Sequence, residues 1–222
     1  MAIIQFKQLK MWFKNLIKSL YDYYYPKEIV PETKEDYYNN KYPKVNITYK
    51  RTDKLGTLKI DVRQFLNHNN YLLPKFEGTD DEKALESLKW VIKNIKYTSD
   101  KTEYNLNEYW AFNYETMAYK KGDCEDGAIL LYCIMRNSGI PAWKIRLNAG
   151  EVKGGGHAYL VYYCEEIDKW VILDWCYWFN TLEINLRKEY SEEINYENVW
   201  FSWNENYSWS KGLNEKINML SK

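Results

Sequence analysis

The segment that most constrains the fold is residues 122–141, GDCEDGAILLYCIMRNSGIP. An apolar run follows the acidic block Asp123-Cys124-Glu125-Asp126, and Ser138-Gly139-Ile140-Pro141 supplies a stop, so the pattern predicts a helix with Cys124 at its start. Behind it come three β-rich stretches, WKIRLNAG, HAYLVYYC and KWVILDWCYW, separated by turn or loop residues that include Gly154-Gly155-Gly156. A helix followed by a sheet meander gives an α+β order, to which NVWFSWN can add an edge strand.

Upstream, residues 45–65 alternate around Asp53-Lys54-Leu55-Gly56, as two strands joined by a short turn do. Thr79 or Asp80 can cap a helix whose apolar residues Ala84, Leu85, Leu88, Val91, Ile92 and Ile95 keep a 3.6 period. Near the N-terminus, Phe6, Leu9, Phe13, Leu16, Ile17 and Leu20 recur at helical spacing while Lys7, Lys10, Lys14 and Lys18 fall on another face. Such a basic amphipathic helix can dock on its own body, in a partner's groove or on a membrane surface. Residues 21–42 have weak periodicity and read as a linker, so the expected division is an appendage over 1–40 and one domain over 41–222.

Lys and Arg total 31, as do Asp and Glu, so no overall field draws the chain to nucleic acid or an acidic membrane. Twenty-two Tyr and ten Trp fit either a sticky binding surface or a biased genome composition. Four cysteines are too few for a disulfide scaffold, and the N-terminal lysines interrupt any export or membrane-spanning run. The expectation is a soluble cytoplasmic protein without a transmembrane segment.

A cysteine at a helix N-terminus faces unpaired N–H groups and the positive end of the helix dipole, which lowers its pKa from about 8.5 toward neutrality. Two histidines are available to partner it. His157 opens an alternating strand after three glycines, whereas His68 sits in the polar turn LNHNNY. Asp174 ends the apolar strand WVILD, where it can orient an imidazole. Cys124, His157 and Asp174 converge if the strands of the last two are antiparallel neighbours and the Cys124 helix packs across them. Acids beside a thiolate oppose the dipole. Asp123 and Glu125 are therefore candidate ligands of a hard cation such as calcium, with Asp126 as a helix cap; the alternative is that all three serve only the helix terminus. A zinc site drawn from His157 and the cysteines lacks any CxxC spacing.

The ordered blocks GDCEDGAILLYCIMRNSGIPAWKIRL, GGGHAYLVYY and WVILDWCYW, with EYWAFNYETM before them, resemble the transglutaminase-like core of the papain-like superfamily, and within it the bacterial transglutaminase-like cysteine proteinases. The resemblance implies an α+β fold with the nucleophile helix packed on an antiparallel sheet, the triad Cys124, His157, Asp174, and a thiol enzyme acting on amide or peptide bonds of a protein substrate. It implies calcium at Asp123 and Glu125, as in some periplasmic members, and no other cofactor. Similar domains in bacteriophage proteins suggest a virion-associated alternative location. The expected mechanism runs through a thioester, its oxyanion held by the Cys124 N–H and by Tyr109 or Trp110. Cysteine protease is the leading reading; a transamidase or deamidase of the same fold and a non-catalytic binding or virion-assembly module are the alternatives.

Overall fold

The computed structural model describes residues 33–53, 56–69, 72–178 and 180–212, together with Lys14 and Ile17. The chain divides into two compact units, residues 1–34 and 35–222. Lys14 and Ile17 are helical; the rest of the N-terminal amphipathic helix, with its docking options, lies outside the described residues. Among the described residues, no helix is long and apolar enough to cross a membrane.

The second unit is built around one enclosed helix. Helix α5, Cys124–Asn137, buries every residue from Glu125 to Met135, so it must be surrounded. On one side packs α2, Asp80–Asn94, which begins at a reciprocal cap: the Glu82 N–H donates to Thr79 Oγ1 at 3.2 Å and the Thr79 N–H to Glu82 Oε2 at 2.7 Å. On another lies an antiparallel sheet of strands β5 (Ile145–Val152), β6 (Gly155–Cys164), β7 (Lys169–Leu173), β8 (Tyr196–Trp203) and β9 (Ser208–Trp209), ordered β7-β6-β5-β8-β9. Leu147, Leu160 and Tyr162 join α5 in the main core, while Tyr159, Val161 and Tyr163 face a second apolar cluster with Tyr190 and Tyr196. This is the expected α+β architecture of nucleophile helix on antiparallel sheet.

The expected hairpin forms as β1 (Thr48–Asp53) and β2 (Gly56–Asp61), paired from Thr48↔Asp61 to Asp53↔Gly56. Arg51 ties it to helix α4 (Asn113–Tyr119) by donating to both Glu115 oxygens, at 2.8 and 2.6 Å. A short parallel pair, β3 (Lys96–Tyr97) with β4 (Lys121–Gly122), sets Tyr97 beside the start of α5.

Two expectations are corrected. Residues 34–40, read as linker, form helix α1 (Lys34–Asn40), because Tyr38 packs edge-on to Trp170 at 5.1 Å and parallel to Trp143, contacts invisible to local periodicity. The stretch NVWFSWN, expected as an edge strand, lies in β8, between β5 and β9. Asn204 Oδ1 accepts from the Asn206 and Tyr207 N–H groups, and the chain returns so that β9 covers Ser202 and Trp203 of β8.

Candidate active site

Asp126 fixes the start of α5. Its fully buried carboxylate accepts from the Asp123 N–H at 3.4 Å and from the Ala111 N–H at 2.7 Å, which makes it the expected cap and also a tether for the preceding segment. Gly122 is needed there, since a β-carbon would lie 2.6 Å from Asp126 Cβ. Cys124 opens onto a cleft of about 580 Å³ that His157, Trp110 and Ala158 also line. Its thiol donates to Glu125 Oε2 at 3.2 Å. Burial, then Glu125 and Asp123, push the thiol well above its ordinary value, while the Ala158 N–H favours the thiolate. The downward shift expected from the helix terminus is thus reversed by desolvation and by two neighbouring acids.

His157 and Asp174 meet as the strand arrangement requires. β6 and β7 are antiparallel neighbours, with Leu160 opposite Leu173, and Asp174 is the next residue. His157 Nε2 lies 2.8 Å from Asp174 Oδ2, and both side chains are buried. Asp174 also accepts from the Tyr196 hydroxyl at 2.8 Å and from the Cys176 and Tyr177 N–H groups at 3.1 and 3.2 Å. Burial pulls this carboxyl upward, but the His157 contact, the Cys176 N–H and the Tyr196 hydroxyl together hold it below the usual range. With Nε2 committed to Asp174, Nδ1 is the nitrogen left to exchange a proton with the cleft. His68 instead pairs with Glu205 at 3.0 Å.

Neither proposed side-chain partner for an oxyanion faces the cleft with a spare donor. Tyr109 does not line it: the hydroxyl meets Arg51 and the N–H is taken by Asp100 Oδ2. Trp110 does line it, but the indole N–H donates to Glu108 Oε1 at 2.7 Å and the backbone N–H to the Tyr49 hydroxyl at 3.3 Å. Both assignments are corrected for the same reason, that acids and a hydroxyl nearby have already claimed these donors.

The acids around Cys124 belong to a larger set. Ligand oxygens of Asp100, Asp123 and Asp126, and of Asp100, Glu108 and Glu125, lie within 4.8 Å of one another in each group. Asp100 Oδ1, Asp123 Oδ1 and Glu125 Oε1 are buried and accept no hydrogen bond. Burial, Asp123 and Glu108 raise Asp100 to about 8; burial and Asp123 push Glu125 well above the usual range. Unpaired buried carboxylate oxygens are costly, and a hard cation with six to eight oxygen ligands is the group they suit. The residues therefore fit calcium better than the sequence alone indicated, because Asp100 and Glu108 add to Asp123 and Glu125. Two of the cysteines suit zinc poorly, since Cys133 is buried beside the Phe65 carbonyl and Cys164 beside Asp81; Cys176 lies with His157 and Asp174.

The transglutaminase-like superfamily model matches residues 73–175. The structure is similar to solved forms of Legionella pneumophila LapG. The calcium-bound form is 19% identical over 61% of this chain and 73% of that one, with a TM-score of 0.50. The EGTA-treated form is 19% identical over 60% and 68%, and a third form 18% over 64% and 75%, each with a TM-score of 0.50. No curated protein sequence matches. Likeness at this identity speaks for the fold; the matched stretch itself contains the helix of Cys124 and the strands leading to His157 and Asp174, so it is residues 73–175 that are similar to the transglutaminase-like superfamily.

Proposed function

We propose that the chain is a thiol hydrolase of peptide bonds, with Cys124 as nucleophile, His157 as acid–base group and Asp174 as the residue that orients it. The observation that carries this reading is the buried His157–Asp174 pair at 2.8 Å, opening on the same cleft as a cysteine at a helix N-terminus. A buried imidazole–carboxylate contact of this kind fixes the tautomer and stabilises the imidazolium that forms during acyl transfer. His157 takes the thiol proton as the Cys124 sulfur bonds to the substrate carbonyl carbon, and the C–N bond then breaks as His157 gives that proton to the leaving amine. Water, deprotonated by His157, attacks the thioester; the C–S bond breaks and the thiolate returns. A purely binding role would leave the buried His157–Asp174 pair without use.

We further infer that Asp100, Glu108, Asp123 and Glu125 hold calcium, the ion with which LapG has been solved. A bound dication offsets the carboxylates that oppose the Cys124 thiolate. Asp123 and Glu125 face the cleft and Asp100 lies behind them, so these side chains set the charge at the thiol.

The test is to incubate the protein with a proteome-derived peptide mixture in calcium and to sequence new termini. Wild type is expected to generate termini that Cys124→Ala does not. Indistinguishable peptide sets from the two proteins contradict the reading.

A further inference from the structure

The cleft at Cys124 encloses about 580 Å³, within the range of about 300–1,000 Å³ of sites that surround a ligand. Its two sides have different origins. Cys124, His157, Asp123 and Glu108 come from the stretch matched by the superfamily model, residues 73–175. Ile47, Tyr49 and Val62 of the hairpin region, and Trp200 and Phe201 of β8, lie outside it. The chemistry is thus carried by the shared core, and a large part of the apolar wall by segments beyond the match, which add to Tyr97, Trp110, Ala149 and Ala158 within it.

That wall is held in place. Tyr49 stacks on Trp110 with ring centres 4.7 Å apart and donates its hydroxyl to the Glu108 carbonyl at 3.1 Å. Trp200 is presented by a β-bulge: Ala149 pairs with Phe201 and Gly150 with Val199, so Trp200 has no opposite residue. A bulge beside a site re-aims a side chain. Here the indole lies over Gly156, where a β-carbon would meet it at 3.0 Å, and Gly156 immediately precedes His157. Trp200 remains 48% exposed and Tyr97 51%. Large rings left wet around a nucleophile form a surface suited to apolar ligand groups.

We propose that this wall selects the substrate and that Trp200 sets the preference. The substrate is an extended polypeptide bearing a large aliphatic or aromatic side chain next to the amide attacked by Cys124. An acidic side chain there is disfavoured because, among the described residues, no Lys or Arg lines the cleft to pair with it. This inference rests on the thiol chemistry proposed above.

The test uses the full chain and a series of acetylated tripeptide vinyl sulfones that differ only in the residue beside the electrophile: Gly, Leu, Phe or Asp. Second-order labelling of Cys124 is followed by intact-protein mass spectrometry, with iodoacetamide run in parallel on wild type and His157→Ala. The Leu and Phe probes are expected to react at least about 30-fold faster than the Gly and Asp probes, in line with what apolar pockets discriminate. Trp200→Ala should shrink the Phe-to-Gly ratio about tenfold, and Trp200→Phe should restore most of it. Equal rates for Gly and Phe, with His157-dependent alkylation intact, overturn the selectivity proposal and leave the thiol chemistry standing. A Phe-to-Gly ratio unchanged in Trp200→Ala overturns the assignment to Trp200. Alkylation that does not depend on His157 overturns the thiol reading itself.

Discussion

The indole N–H of Trp175 donates to the backbone carbonyl of Cys124 at 3.0 Å, so the residue after Asp174 also holds the first turn of the nucleophile helix. A β-carbon on Gly127 would sit 2.1 Å from the Trp175 ring. Gly127→Ala must therefore displace the indole and loosen both ends of the site at once. Overpacking of this kind costs about 1–3 kcal/mol. The expected outcome is a lower Tm together with slower alkylation of Cys124, read by thermal melts and iodoacetamide kinetics; a variant unchanged in both contradicts the coupling.

Tyr196 acts through Asp174, to which its hydroxyl donates at 2.8 Å. Hydrogen bonds to charged groups contribute about 1.5–3 kcal/mol. Tyr196→Phe is expected to lower kcat about tenfold with KM nearly unchanged, because the lost contact orients His157 and does not touch substrate. Steady-state kinetics on a cleaved peptide decide it, and a change confined to KM runs against this role.

Calcium is expected to bind and to raise the Tm. At a concentration about 100 times its Kd, a ligand specific for the folded state adds about 2.7 kcal/mol. Asp100→Asn removes a proposed ligand 24 positions away in sequence from Cys124, sparing the GDCED block. Calorimetry should show weaker binding and a smaller Tm gain in this variant. No heat with wild type contradicts the site.

Glu205 gives a pH signature outside the cleft. Burial alone would raise this carboxyl, but His68 and Arg136 bring it down to about 2. Arg136 donates to its two oxygens at 3.0 and 2.8 Å. A carboxyl depressed in the folded state stabilises above its unfolded value of about 4.3 and loses that contribution as pH falls toward the folded one. The Tm difference between wild type and Glu205→Gln is therefore expected to be largest above about pH 5 and to shrink between about pH 4 and pH 2. A difference that grows in acid contradicts the pairing seen here.

The parts of the fold that were legible in the sequence are those with local signals. Helix α2 has a 3.6 period and a Thr79–Glu82 cap, and the hairpin and strands β5 to β7 alternate between turn residues. Helix α4 escaped because its supports are distant: Glu115 is held by Arg51, and Phe112 stacks on Phe65. In the candidate site, scarcity made His157 visible, since the chain has only two histidines. Asp100 and Glu108 could not be singled out among 31 acids, nor Tyr196 among 22 tyrosines, because only the folded chain brings them to Cys124 and Asp174. The oxyanion donors were misassigned for a related reason: residue type showed the N–H groups of Tyr109 and Trp110 but not the acceptors that occupy them.

In the proposed mechanism Cys124 works as a nucleophile paired with His157. Its most direct test is the second-order rate of Cys124 alkylation by iodoacetamide, from about pH 5 to about pH 9 in saturating calcium. Wild type, His157→Ala and Asp174→Asn are compared. Wild type is expected to react at least about tenfold faster than His157→Ala near neutral pH, with Asp174→Asn between them. Three superimposable profiles, each matching an ordinary free cysteine, would contradict it.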